Sequence, residues 1–209
     1  MIKVWDPLQR LFHWGLVASI AIAWLTGEDG EALHEWAGYA ALGLIAFRLV
    51  WGFIGPRYAR FTQFIRGPKE VISYTRDMLN KREKRYIGHN PLGAVMVVAL
   101  LATTAATGVT GWLMAEPERM AMLPEMPAFV APAFADSDEN EDEEHEYGEY
   151  GEGGGEAMEE IHEFFANLLL LLIFLHVAGV IYASRRHKEN LARAMVTGKK
   201  LAAAPDDIS

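Results

Sequence analysis

The sequence predicts an all-α integral membrane protein, a bundle of four transmembrane helices. Four long stretches of the 209-residue chain are almost free of charged residues, and the segments between them carry nearly all of the charge. An uncharged run of about 18 residues or more is typical of a transmembrane helix, because about 20 residues with a rise of about 1.5 Å each cross the hydrocarbon layer. The placement of lysine and arginine between these stretches predicts the orientation of the bundle.

The uncharged stretches define the spans in chain order. The first, residues 11–27, is slightly short but extends back to Pro7, which suits a first helical turn, with Asp6 as the cap before it. The others are 36–56, where Arg48 is the one charge, 90–115 and 164–184. We place the spans at about residues 8–27, 33–55, 90–115 and 159–184. Four buried helices of a soluble protein are disfavoured, since such helices keep a polar face.

Basic residues fall almost entirely on one side of these spans. Two precede span one, nine lie between spans two and three, and six follow span four. In the loop between spans three and four there is only Arg119. Because lysine and arginine stay on the cytoplasmic side of membrane proteins, both termini are predicted to be cytoplasmic.

The loop at residues 116–157 is acidic and is expected to be disordered on the outer side. It contains the run Asp136-Ser-Asp-Glu-Asn-Glu-Asp-Glu-Glu, followed by glycine- and glutamate-rich sequence. Such a composition cannot bury enough apolar surface to fold alone. Most of the formal net charge of −9 comes from this loop. We treat residues 1–200 as one membrane domain and residues 201–209 as a C-terminal tail.

A shorter helix is predicted on the inner side, starting near Pro68. Its apolar residues Val71, Ile72, Met78 and Leu79 are available to lie on the membrane surface.

The chain has no cysteine. This excludes disulfides, cysteine-ligated iron–sulfur clusters and covalently attached c-type haem. Any haem must therefore be held by side-chain ligation alone.

Four of the seven histidines fall within the spans or at their ends, where an unpaired polar ring is costly and usually functional. His34 and His162 lie near the outer starts of spans two and four. His13 and His176 lie about two turns from the inner ends of spans one and four. Two outer and two inner histidines, each pair from different helices, match the requirement of two stacked bis-histidine haems.

Helix geometry supports this arrangement. His162 and His176 are 14 residues apart, which gives about 21 Å of rise and a rotation within about 40° of the same face. His34 and Arg48 are also 14 apart, so Arg48 points along the face of His34 at the inner depth. An arginine there costs about 2.5–3.5 kcal/mol unless it is compensated. A haem propionate or a ligand's carbonyl would compensate it, and Gly38 and Gly179 would leave room for a flat macrocycle.

From the residues alone, other interpretations stay open. A single membrane histidine equally well hydrogen-bonds a neighbouring helix. One zinc site for all four is excluded, because zinc needs convergent ligands and about 21 Å separates His162 from His176. A haem-free, histidine-lined metal or proton transporter is the main alternative.

Several motifs carry a resemblance to a known family. They are Arg10-Leu-Phe-His-Trp, Leu33-His-Glu-Trp-Ala-Gly-Tyr, Gly88-His-Asn-Pro-Leu-Gly, His162-Glu-Phe-Phe-Ala-Asn and Leu175-His-Val-Ala-Gly. These resemble the bacterial cytochrome b561 family, which is similar to the b-type cytochrome subunits of nickel–iron hydrogenases. The resemblance covers nearly all of the chain except the acidic loop, which departs from the family pattern.

The resemblance implies two b haems in a four-helix core. Carried over residue by residue, His13 and His176 would hold the inner haem, and His34 and His162 the outer one. Arg48 is the further expected cofactor contact. His89, just before span three, is expected to be an interfacial or capping residue rather than a quinone contact.

The implied function is transmembrane electron transfer in a bacterial inner membrane. An iron with two histidine ligands has no open position, so it suits outer-sphere electron transfer. The expected partners are membrane lipid, a quinone or quinol, and a periplasmic c-type cytochrome or other redox protein. A peripheral enzyme such as a hydrogenase is the variant with an obligate partner, and nothing indicates a nucleic-acid partner.

Overall fold

The computed structural model describes residues 1–27, 32–116, 119 and 152–208. Long helices dominate it, with two very short strands at the chain ends. In chain order the elements are β1 (Ile2–Lys3), α1 (Pro7–Leu25), α2 (Ala32–Ile54), a 3₁₀ turn (Arg57–Ala59), α3 (Phe61–Phe64), α4 (Pro68–Leu79), α5 (Pro91–Met114), α6 (Glu152–Arg186), α7 (Leu191–Thr197) and β2 (Lys199–Lys200).

Four of these helices, α1, α2, α5 and α6, are long and apolar enough to cross a membrane, as predicted. Very little of their apolar surface is buried by the protein itself: in the most apolar part of α6 only 6% of residues are buried. Large side chains such as Trp24, Phe53 and Phe174 are more than 60% exposed. Helices that satisfy their backbone internally and show apolar side chains outward are suited to lipid. The protein is a multi-pass membrane protein.

Helix starts follow local capping chemistry. The Asp6 carboxylate accepts hydrogen bonds from the backbone N–H groups of Leu8 and Gln9, which confirms the predicted cap of α1. Asn90 caps α5 by accepting from Gly93 N–H at 2.7 Å. The cap is therefore Asn90, so of the two roles expected for His89, interfacial or capping, the capping one does not apply.

The start of α6 differs from the predicted span. The helix begins at Glu152, seven residues before the expected start at 159, so the end of the predicted loop 116–157 is helical. The predicted disorder of residues 117–118 and 120–151 lies outside the described residues.

The helices pack in a row. Close backbone packing joins α1 with α2, α2 with α5 and α5 with α6, whereas among the described residues α6 does not pack closely against α1 or α2. Phe12, Ile45 and Leu101 form the apolar cluster where α1, α2 and α5 meet. The backbones of α6 and the α1–α2 hairpin are therefore farther apart than those of the neighbouring helix pairs, and we call the space between them the groove.

The two chain ends come together at one end of the bundle. β1 pairs antiparallel with β2, and the N–H groups of Val4 and Trp5 both donate to Gly198 O, at 2.9 and 3.2 Å. Gly198 has a φ of +74°, and a Cβ there would lie 2.5 Å from Trp5 O, so glycine is required at this position. We call residues 1–5, 83–88 and 187–208 the terminal clasp, and the bundle end that carries it the clasp end.

A buried charged network holds the terminal clasp together. Arg85 donates to Glu189 at 3.0 Å and to Asp207 at 2.5 Å, and Lys200 Nζ lies 3.5 Å from Glu189. Ile208 forms a bridge with Tyr86. Residues 201–208, predicted as a tail, are thus packed against the loop before α5.

Candidate functional site

Two pairs of histidines face each other across the groove. His13 on α1 and His176 on α6 have ring centroids 6.5 Å apart, with planes inclined by 49°. His34 on α2 and His162 on α6 have centroids 6.2 Å apart, inclined by 68°. We call these the clasp-end pair and the far-end pair. The structure thus brings together the four predicted residues in the predicted pairs, with α6 contributing one ring to each.

The spacing within each pair fits a metal held between two imidazoles. A metal–nitrogen bond of about 2 Å on each side places the two ring centres about 6 Å apart. Direct hydrogen bonding between the rings would bring them closer. No group of three or more His, Cys, Asp or Glu side chains able to hold a bare metal ion occurs among the described residues. Two protein ligands per site is what a haem iron requires, because the macrocycle supplies the others.

The far-end rings are oriented by hydrogen bonds. His34 Nδ1 lies 2.8 Å from Ala23 O, and since a carbonyl only accepts, Nδ1 donates. His162 Nδ1 lies 3.0 Å from the Thr110 hydroxyl, which itself donates to Ala106 O at 2.9 Å. The hydroxyl therefore accepts from His162. With Nδ1 carrying the proton, the Nε2 lone pair of each ring is available to a metal, which is the tautomer that hydrogen-bond partners normally impose on metal-binding histidines.

Small residues leave room beside the rings. A Cβ added at Gly38 or at Gly179 would meet no atom within 4 Å. By contrast, a Cβ at Gly111 would lie 3.1 Å from His162 Cε1, so that glycine lets the ring approach α5. The residues present therefore fit a flat macrocycle between α6 and the α1–α2 hairpin.

Arg48 lies at the clasp end and is 1% exposed. Its Nη2 donates to Ala59 O at 2.9 Å, and its guanidinium lies 4.7 Å from the centre of the Phe61 ring. Gly52 allows this contact, because a Cβ there would overlap Phe61. A backbone carbonyl and an aromatic face thus compensate part of the charge, while Nη1 has no partner among the described residues.

His89 lies close to Arg48 and is enclosed by aromatic rings. Its ring centroid is 4.8 Å from that of Trp5 and 4.6 Å from that of Phe64, and its Nδ1 is buried without a partner among the described residues. Burial, together with the positive charges of Arg48 and Lys200, lowers the pKa of His89 to about 3. His89 is therefore a neutral ring within the clasp end.

Thr110 and Ala23, the hydrogen-bond partners of the far-end rings, were not predicted from the sequence. A signal for Thr110 existed, because α5 carries four threonines at positions 103, 104, 107 and 110 in an otherwise apolar span. Ala23 acts through its carbonyl, and no side-chain pattern reports a backbone acceptor.

A known protein family matches most of the chain. The family described as prokaryotic cytochrome b561 matches residues 4–198. The chain belongs to that family. As a prokaryotic cytochrome b561 it is a b-type cytochrome, so haem b is its cofactor, and electron transport follows from the family.

Individual relatives carry a more specific description. Proteins from Azotobacter vinelandii and Azotobacter chroococcum mcd 1, each named "Probable Ni/Fe-hydrogenase B-type cytochrome subunit", are 28% identical over 142 residues. That match covers 53% of this chain and 58% of each relative. A Rhodobacter capsulatus protein with the same name is 30% identical over 140 residues, 53% of either chain. The chain thus spans little more than half the length of these curated relatives. No solved structure matches the chain.

Proposed function

We propose that this prokaryotic cytochrome b561 binds two b haems and transfers electrons across the membrane between a quinone pool and a redox partner on the periplasmic side. One observation carries the proposal: two histidine pairs, each with ring centres just over 6 Å apart, face the same groove at different depths.

The four histidines would hold the two haems. His13 and His176 would bind at the clasp end, and His34 and His162 at the far end, about 21 Å away along α6. Haem b held in this way supplies one-electron transfer without an open coordination position. The histidines fix position and orientation, and the apolar helices exclude water from both sites.

Arg48 would act on the clasp-end haem. Its unpartnered Nη1 is buried, and a buried guanidinium nitrogen without an acceptor is costly. A haem propionate is an acceptor of the right charge. Arg48 would both hold that group and favour the reduced state of the haem through its positive charge.

The clasp end would face the cytoplasm. Nearly all lysines and arginines lie at this end or in the loops that join it, and positive charge is retained on the cytoplasmic side. Both termini would therefore be cytoplasmic, and the acidic loop 116–157 periplasmic.

A haem count tests the proposal. The pyridine haemochrome assay on purified protein should give a haem-to-protein ratio near two, with the sharp reduced bands of a b-type cytochrome. A ratio near one would mean that only one of the two histidine pairs binds haem. A colourless, folded protein would favour the alternative of a haem-free, histidine-lined metal or proton transporter.

The quinone link is tested by reduction with a soluble quinol. We expect quinol to reduce the haems of the purified protein, with sensitivity to quinone-analogue inhibitors. Reduction by dithionite but not by any quinol would contradict a quinone partner.

The periplasmic partner is tested through the acidic loop. Clustered negative charge raises the encounter rate with a basic carrier, such as a lysine-rich c-type cytochrome, by about 10-fold or more, and salt suppresses the effect. Deletion of residues 136–149, which stops short of α6, should slow oxidation of the reduced protein by such a carrier at low salt. The two rates should converge at high salt. Equal rates at both salt concentrations would leave the loop without this role.

A second candidate partner is suggested by the relatives, which are named as hydrogenase cytochrome subunits. Here the chain would be the membrane anchor and electron relay of a peripheral nickel–iron hydrogenase. Reduction of the purified cytochrome by hydrogen and an added hydrogenase, at a rate that saturates with hydrogenase, would support this partner. A rate that rises only linearly would favour a diffusing carrier.

A further inference from the structure

The last two turns of α6 line an open cavity at the clasp end of the bundle. Its volume is about 550 Å³ and it is lined by Ala178, Ile181, Tyr182, Arg185 and Arg186. A second cavity of about 260 Å³ lies beside it, lined by Met78, Leu79, Lys81 and Tyr182. Tyr182 borders both, so the two form one surface between α6 and the end of α4. We call it the Tyr182 groove.

The Tyr182 groove is apolar on one side and cationic on the other. Ile181, Tyr182 and Leu79 are 43%, 42% and 75% exposed. Lys81 lies just after α4, and Arg185 lies in the last turn of α6, where that membrane span ends. An apolar wall next to a cationic rim matches the junction between acyl chains and headgroups.

The charges of the groove are not balanced within the described residues. Glu83 is buried and accepts from Tyr182 Oη at 3.0 Å and from Arg186 Nε at 2.9 Å. Burial by itself would raise the pKa of Glu83, but its hydrogen bonds and the nearby Arg186 hold that pKa below its usual value. Glu83 therefore neutralises Arg186. Lys81 and Arg185 form no ion pair among the described residues.

The backbone at Lys81 is tied to the end of α6. Lys81 follows α4 with a φ of +56°, a left-handed conformation in which glycine is the usual residue. Arg186 Nη2 donates to Lys81 O at 2.5 Å and holds this conformation. This hydrogen bond fixes the backbone of Lys81 beside the groove that its side chain lines.

We propose that the Tyr182 groove binds an anionic glycerophospholipid, whose phosphate lies between Lys81 and Arg185 and whose acyl chain lies along Ala178 and Ile181. The two unpaired cations select the headgroup charge, and the apolar wall selects a lipid over a soluble anion. This site is independent of the number of haems and of the quinone link.

The test is lipid binding to the purified haem-loaded protein in neutral detergent, followed by native mass spectrometry. Phosphatidylglycerol should bind more tightly than phosphatidylcholine. The double variant K81Q/R185Q should lose about 30-fold in affinity for phosphatidylglycerol, since each cation near an anionic surface contributes about fivefold. The charge-retaining variant K81R/R185K should keep most of the affinity.

K69Q/R76Q is the matched control, because it removes two charges from α4 that do not line the groove. It should leave the affinity within about twofold of the wild type. An equal loss in the control would mean a diffuse surface charge and overturn the site. Equal binding of phosphatidylglycerol and phosphatidylcholine would also overturn the site. Competition by millimolar inorganic phosphate would do the same. The haem spectrum of each variant verifies that it is folded.

Discussion

The two ends of the bundle are built by different interactions. At the far end the histidine rings are oriented by single hydrogen bonds to neutral groups, Ala23 O and the Thr110 hydroxyl. At the clasp end, His13 Nδ1 is buried without a partner among the described residues, and the surroundings are charged. Arg48 is buried there, and the network around Arg85 closes the terminal clasp beneath it.

This difference indicates a division of roles. Neutral hydrogen bonds fix the geometry of a ligand without changing the charge of the site, whereas a buried cation changes the free energy of adding an electron. If both pairs bind haem, orientation should matter most at the far end and electrostatics at the clasp end. The two haems should therefore differ in potential, with each responding to its own set of substitutions.

The largest expected effect is the loss of one haem when a ligand is removed. His34→Ala and His162→Ala should lose the same haem, and His13→Ala and His176→Ala the other, each leaving a haem-to-protein ratio near one. Redox titration of the remaining haem identifies which was lost. His187→Ala, outside the pairs, is the control and should keep both haems. If His13→Ala and His34→Ala had the same spectrum and potential, the assignment of these two histidines to different haems would be wrong.

The next effect is on stability at the clasp end. Burial by itself would raise the pKa of Glu189, but hydrogen bonds from Arg85 and Leu201 N–H hold it below its usual value. Glu189→Gln leaves buried cations unpaired and should reduce the free energy of unfolding by about 3 kcal/mol. Thermal unfolding in detergent measures this, with Glu70→Gln, an exposed ion-pair partner, as the control expected to cost less than about 1 kcal/mol.

The same variant has a predictable pH dependence. The folded pKa of Glu189 is lowered, so its stabilisation is fully present above its unfolded value of 4.5 and is lost as the pH falls below that value through the folded pKa. The difference between wild type and Glu189→Gln should therefore shrink in acid. A difference that stays constant down to pH 3 would mean that ionised Glu189 is not the stabilising form.

At the far end, Thr110→Val should weaken haem binding by about 10–100-fold, because it removes the hydroxyl that orients His162. Thr104→Val is the matched control, since among the described residues the Thr104 hydroxyl bonds to Leu100 O of its own helix, at 2.7 Å, and to no histidine. Haem retention on dilution of the purified variants measures the change. Equal retention in both variants would show that His162 is oriented by packing.

The smallest effect concerns the potential of the clasp-end haem. Arg48→Leu should lower it by about 50–90 mV, about 1–2 kcal/mol for one electron, since a nearby cation stabilises the reduced state. The far-end potential should stay unchanged, and Arg48→Lys should restore most of the shift. Redox titration resolves both haems. If the clasp-end potential were unchanged with intact haem content, Arg48 would have only a structural role, through its hydrogen bond to Ala59 O.

The long helices could be predicted because a membrane imposes a simple requirement on them. The predicted starts of the first three spans, 8, 33 and 90, lie within one residue of the observed starts. The start of α6 was missed because residues 152–157 are glycine- and glutamate-rich, with no apolar signal and low helix propensity. The helix continues into them from the span.

The histidine pairs were also accessible from the sequence, because depth in a membrane follows from the position within a span. The terminal clasp was not. Strands of two residues have no periodic pattern, and Arg85 pairs with Glu189 and Asp207 more than 100 positions away. From the sequence alone, such residues are predicted to be solvent-exposed charges, because nothing in the sequence indicates that the fold brings them together.

Because α6 supplies one ring to each pair, the distance between the two sites is set by the number of residues between His162 and His176. It does not depend on the length of the loops. A single residue inserted between them would turn one ring by about 100° away from the groove while leaving the helix intact. The loops can therefore change in length without altering this spacing, whereas the number of residues between the two histidines inside this one helix cannot.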